Sequence, residues 1–241
     1  MIRDLTLFTY THSNCKDVWP LYSASLKRHF TNNQHVVITD RNVEELPGVI
    51  PIIYSDSDSY WEVICRALDL VKTNHLLYMQ EDCILYDRTD FSSLDRYVNV
   101  LSRSDMSFVR LIKSGDVSRI RFLDDLYNVS PSSGDHESPY VYSLQPTIWK
   151  KSEFEKIHKK VQSRTFGEGV TYRDAMKELS INGLYVYNGE PKRGSNHYDS
   201  KVFPYTATAV VKGKWNFSEY EAELLPLLME FEIDPNIRGI T

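Results

Sequence analysis

The sequence predicts an α/β domain with a central, mostly parallel sheet flanked by helices. Three observations support this. Short β-branched or apolar runs at 5–10, 35–39, 49–54 and 75–79 read as buried strands. Two of the intervals between them, 17–30 and 60–72, carry apolar residues at helical spacing. Strands alternating with helices are the pattern of a parallel sheet covered by helices.

Each element follows from local composition. In 17–30, Val18, Leu21, Tyr22, Leu26 and Phe30 share a helical face. In 60–72, Trp61, Ile64, Ala67 and Val71 do the same. Asp90 is a helix cap, and a helix is expected from there to residue 101. Residues 106–111 read as a further strand. The polar stretch 114–138 reads as one long loop of the kind that often carries function. Residues 140–144 are expected to be extended, 149–161 and 171–181 helical, and 184–187 a strand. Asn182-Gly183 reads as a helix stop. An acidic helix containing Pro226 is expected over 218–232.

With 241 residues, 41% of them hydrophobic, the chain is long enough to bury a substantial core. The formal net charge of −5 argues against nucleic acid as a partner, since backbone binding needs a basic face. Three cysteines, with no CxxC pair, argue against a disulfide framework or a zinc site and favour a reducing compartment. No signal peptide or membrane-length apolar run is expected, so the location read from the sequence is cytoplasmic.

The strongest chemical signal is Leu76-Leu77-Tyr78-Met79-Gln80-Glu81-Asp82, an apolar strand that ends in adjacent carboxylates. Ligands of open α/β sheets gather at the carboxyl ends of the strands. Two acids there repel each other unless a cation sits beside them, and a hard divalent ion would also hold a diphosphate.

The segment 61–82, including Arg66-Ala67-Leu68 and Gln80-Glu81-Asp82, resembles the metal-site region of GT-A glycosyltransferases, a single-domain, Rossmann-like fold. That family places an Asp-x-Asp-type motif after a central strand, and here Gln80 stands in the first position. The resemblance implies Asp82 as ligand of Mn²⁺ or Mg²⁺, with His197 as a second ligand or diphosphate contact. It implies a nucleotide-sugar site made from Thr9, Tyr10, Thr11, His12, Asp40, Arg66, Gln80, Glu81, Lys212, Lys214 and Trp215. Tyr172-Arg173-Asp174 resembles the family's acidic element at a helix start, which implies Asp174 as catalytic base, with Glu168 as the substitute. The segment 143–149 is similar to the acceptor side of transferases that build surface polysaccharides or viral glycans.

The expected organisation is one domain over 1–241. Residues 1–110 form the nucleotide-sugar half, 111–217 the acceptor half, and 218–241 a C-terminal helix and tail. The implied activity moves a sugar from a nucleoside-diphosphate sugar, UDP- or GDP-linked, to a glycan or saccharide hydroxyl. Two alternatives stand beside it. One is a sugar-nucleotide nucleotidyltransferase, against which Thr9 to Asn14 offers neither Gly nor Lys. The other is a non-catalytic carbohydrate-binding protein on the same fold.

Overall fold

The computed structural model describes residues 2–30, 32–44, 46–115, 120–131 and 141–241. The first half alternates strands and helices: β1 (Leu5–Tyr10), α1 (Trp19–His29), β2 (His35–Thr39), β3 (Ile50–Ile53), α2 (Tyr60–Leu68), β4 (His75–Gln80), α3 (Phe91–Arg103) and β5 (Phe108–Arg110). After it come β6 (Arg121–Leu123), β7 (Leu126–Val129), β8 (Thr147–Lys150), α4 (Lys151–Val161), α5 (Val170–Glu178) and β9 (Gly183–Val186). The chain ends with the small hairpins β10 (Lys192–Arg193) with β11 (His197–Tyr198) and β12 (Val210–Val211) with β13 (Lys214–Trp215), then α6 (Phe217–Glu230) and α7 (Pro235–Arg238).

The main sheet has nine strands in the order β3-β2-β1-β4-β8-β5-β9-β7-β6. Strands β1 to β4 pair in parallel. β8 runs against both of its neighbours, β4 and β5, so β5 again points the way of β4. β9 is parallel to β5, and β7 runs against β9 and β6. Only β7 and β8 oppose the common direction in this sheet, as expected for a mostly parallel α/β domain.

Side chains alternate across the sheet, which splits the core into two layers. Leu5, Leu7, Val37, Leu77 and Met79 pack against α1, α3 and α6 through Trp19, Tyr22, Leu94, Tyr97, Leu224 and others. Phe8, Val36, Ile38, Leu76 and Tyr78 pack on the other face against α2, α4 and α5 through Val63, Ile64, Phe154, Ile157 and Met176. Asp90 caps α3 as expected, accepting the Ser92 and Ser93 backbone N–H groups at 3.0 and 3.2 Å.

Four segments differ from the sequence expectation. The helix expected from residue 149 starts at Lys151, because Thr147–Lys150 is a central strand. Ile148 enters one core layer and Trp149 the other, a two-residue period that a helix cannot satisfy. The expected loop 114–138 contains the β6–β7 hairpin, turned at Asp124 with φ 49°, while 116–119 and 132–138 lie outside the described residues. Of the segment expected to be extended, Tyr140 is also outside them, and 141–144 joins no strand. Asn182-Gly183 is not the helix stop. α5 ends at Glu178, Ser180 takes the left-handed conformation at φ 55°, and Gly183 opens β9.

Gly183 is required by close approach: a Cβ there would lie 2.3 Å from the Phe108 ring. That ring is buried and packed 4.5 Å from Trp149, so it has little room to yield. Gly183→Ala is therefore expected to destabilise the chain by about 1–3 kcal/mol in urea unfolding. Unchanged stability would show that Phe108 can repack.

Candidate active site at the carboxyl ends of the strands

β1, β2 and β4 end on the same rim of the sheet, and their loops bring polar groups together there. Glu81 leaves β4 almost fully buried, 7% exposed, and Asp82 beside it is half-buried. Thr11 Oγ1 accepts from Trp19 Nε1 at 2.8 Å. Burial raises the pKa of Glu81, partly offset by the nearby Cys15 thiol and Thr11 hydroxyl and by the charge of Arg238. Burial and the adjacent Glu81 raise Asp82, against the Val210 backbone N–H and Arg238. Both shifts come first from burial, which disfavours the charged form, and the adjacent Glu81 adds to the cost for Asp82.

Asp40, at the end of β2, is tied to the loop after β1. It accepts from Ser13 N at 2.7 Å and Ser13 Oγ at 2.5 Å, with His12 Nε2 at 3.6 Å. Its partial burial would raise its pKa, but the Ser13 bonds bring it below the ordinary carboxylate range. An open cavity of about 680 Å³ borders this loop, lined among others by Ser13, Lys16, Asp17, Arg41, Gly213 and Arg238. The β12–β13 turn forms another part of its wall, with Lys212 and Gly213 in left-handed conformations (φ 50° and 79°). Lys212 and Lys214 are exposed on that hairpin.

A second, more enclosed cavity of about 230 Å³ opens between the ends of β5, β8 and β11. Ser114, Gln145, Glu168, Asn196, His197 and Thr208 are among its lining residues. Glu168, exposed at the cavity edge, accepts the Leu144 N–H at 2.9 Å, and partial desolvation raises its pKa. Burial and the charge of buried Arg110 lower His197 to about 4, so its imidazole is neutral at neutral pH. Ser114 Oγ is buried with no hydrogen-bond partner among the described residues. Gln145 is fixed at both ends, donating to Ala207 O at 3.0 Å and accepting from Tyr205 Oη at 2.7 Å.

The segment 205–210 links Asp82 to the enclosed cavity. Ala209 N donates to Asp82 O at 3.3 Å, and Thr206 Oγ1 donates to the same oxygen at 3.0 Å. Thr208 lines the enclosed cavity.

Several residues expected at the site lie elsewhere or face differently. Thr9 points under α1, bonded to Tyr22 Oη at 2.7 Å and His35 Nε2 at 2.9 Å. The Tyr10 ring is parallel to Tyr54 at 5.5 Å and to Phe166 at 4.9 Å. Arg66 is exposed on α2 and paired with Asp58 at 3.0 Å. Trp215 is fully buried, with the Arg238 guanidinium 5.5 Å from its ring. Asp174 is exposed and paired with Arg173 at 2.9 Å, whereas Glu168 and His197 line one cavity. Gln80 is half-buried at the rim beside Glu81. Gln145 falls within the 143–149 segment read as the acceptor side, whereas Arg110, Arg41 and Arg238 were not singled out in the sequence. Arg41 follows a strand-end acid and was the one with a readable signal.

Among the described residues, no three His, Cys, Asp or Glu side chains gather into a metal-holding group. Hard divalent ions are often held by one or two carboxylates with substrate phosphates and waters completing the shell. Glu81 and Asp82 are the adjacent carboxylates at this rim that such a mode would use. His197 faces the other cavity, with Glu168.

No helix of the described residues is long and apolar enough to cross a membrane. No protein-family model matches the sequence, and no curated protein sequence matches it. Among solved structures, the chain is similar to a mannosyltransferase from Pyrobaculum calidifontis determined with GDP-Man and Mn²⁺. The TM-score is 0.45 at 11% identity, covering 79% of this chain and 58% of that one.

Proposed function

We propose that the chain transfers a sugar from a UDP- or GDP-linked donor to a hydroxyl of a saccharide or glycan acceptor. One observation carries this: the acids Glu81 and Asp82 lie side by side on the sheet rim, and the Asp82 carbonyl is hydrogen-bonded to a segment that also borders a second cavity lined by Glu168. Residues 1–110 would supply the donor side and 111–217 the acceptor side, with the tail and the hairpin closing the rim.

In this reaction Asp82, assisted by Glu81, would hold Mn²⁺ or Mg²⁺, whose charge offsets that of the departing diphosphate. Lys212 and Lys214, exposed on the hairpin turn, add positive charge at the same edge. Asp40, the His12–Ser13 turn and Gln80 face the nucleoside. In an inverting transfer, Glu168 takes the proton of the acceptor hydroxyl. It is preferred to Asp174 because it lines the cavity beside His197 and is held by the Leu144 N–H, while Asp174 is ion-paired with Arg173 outside it. Its raised pKa also brings it closer to a neutral operating pH. His197, neutral, is suited to one hydrogen bond with a sugar hydroxyl.

Calorimetry with UDP or GDP and Mn²⁺ tests the donor side. Asp82→Asn should weaken metal-dependent binding at least tenfold, and unchanged binding would remove Asp82 from the role. Glu168→Gln should lower kcat by about 10²–10⁴ while leaving nucleotide affinity intact. Full turnover in that variant would exclude Glu168 as base.

The pH dependence has a definite sign. Glu168 must be ionised to accept a proton, so kcat falls as pH drops through its raised pKa, above the ordinary glutamate value of about 4.3. A carboxyl raised by folding stabilises the protein most when protonated, and that contribution is lost as pH rises. Glu168→Gln should therefore gain stability over the parent chain at alkaline pH, and the gap should close below about pH 4. Thermal unfolding across pH reads this, and a gap that widens toward acid would contradict it.

A further inference from the structure

The C-terminal segment is folded onto the rim beside the proposed donor site. Asp234 caps α7 by accepting the Asn236 N–H at 2.9 Å, with Pro235 opening the helix. Beyond it the chain runs parallel to β13: Trp215 N donates to Gly239 O at 2.9 Å, and Thr241 N to Trp215 O at 3.0 Å. From β13 the hydrogen bonds continue toward the acid pair. Asn216 N donates to Ala209 O at 2.9 Å, and Ala209 N to Asp82 O at 3.3 Å.

Apolar burial does not explain why α7 sits there. None of its residues is buried, and Ile237 is 87% exposed. Polar contacts of Arg238 do explain it. Its Nε donates to Asp17 Oδ2 at 2.8 Å, and its Nη2 pairs with Asp17 Oδ1. Nη2 also donates to Asn14 O at 3.1 Å, and Nη1 to Gly213 O at 3.3 Å. A guanidinium carries five N–H groups in a fixed fork. These bonds reach both walls of the open cavity, Asn14 and Asp17 in the loop after β1 and Gly213 on the hairpin. The Arg238 side chain is 12% exposed, largely withdrawn from water.

We infer that Arg238 is a positioning residue of the donor site, a clasp tying the 13–17 loop to the 210–215 hairpin and so fixing the cavity that receives a nucleoside diphosphate. This rests on the donor role proposed above. The clasp needs the fork rather than the charge alone, since one ammonium cannot span Asp17, Asn14 and Gly213 together. A docked tail is then a condition for tight donor binding.

The test compares the full chain with Arg238→Gln, Arg238→Lys and Asp17→Asn, using UDP and GDP with Mn²⁺ in calorimetry. It adds steady-state turnover of whichever nucleotide sugar the parent chain uses. All three variants should bind the diphosphate at least tenfold more weakly. Donor KM should rise by a similar factor, with kcat within about threefold. A merely structural role would lower the active fraction, reducing kcat with KM unchanged, and that result would overturn the clasp. So would parent-like affinity in Arg238→Lys, which keeps the charge. If Arg238→Gln does not fold, the Lys and Asp17→Asn variants decide the question. A parent chain that binds neither UDP nor GDP overturns the donor reading itself, and the clasp falls with it.

Discussion

Two carboxylates leave the sheet side by side at the end of β4, and the protein withdraws most of their surface from water. Each ionised acid makes its neighbour harder to ionise, and burial penalises both. The fold answers with hydrogen-bond donors and one nearby guanidinium. Trp19 donates to Thr11, the Thr11 hydroxyl and Cys15 thiol favour a charged Glu81, the Val210 backbone favours a charged Asp82, and Arg238 brings positive charge from the far end of the chain. These groups come from the loop after β1, α1, the β12 hairpin and α7. Even so, burial leaves both acids with raised pKa values.

The sheet explains why this pair sits beside a second cavity. β8 is inserted antiparallel between β4 and β5, so the segment before it arrives at the rim where β4 ends. Gln145 in that segment is bonded to Tyr205 and Ala207, and the same stretch of chain bonds the Asp82 carbonyl through Thr206 and Ala209. A donor at the acid pair and a hydroxyl near Glu168 would thus be held by one hydrogen-bonded framework. That is how a two-substrate transfer gains from orientation.

Much of the parallel half was legible in the sequence. The runs at 5–10, 35–39 and 75–79 are nearly uninterrupted apolar or β-branched residues because those strands are covered on both faces. The strand-end acids Asp40, Glu81 and Asp82 follow from the same reading. β8 was missed because Thr147–Lys150 is short and runs directly into α4, so Trp149 passes for a helix residue until its strand neighbours are known. Thr9 illustrates parity: on β1 it shares the Leu5 and Leu7 face, which points under α1. Local composition likewise hides that Trp215 is interior and that Asp174 faces solvent. Arg238 carried no signal, since its partners Asn14 and Asp17 lie more than two hundred positions earlier.

The most direct measurement is a crystal structure of the chain with Mn²⁺ and UDP or GDP. The account predicts the metal on Asp82 at the end of β4, the diphosphate beside it, and the nucleoside toward Asp40 and the loop that follows β1. A nucleotide bound at the amino ends of the strands, or a metal held without Asp82, would contradict it.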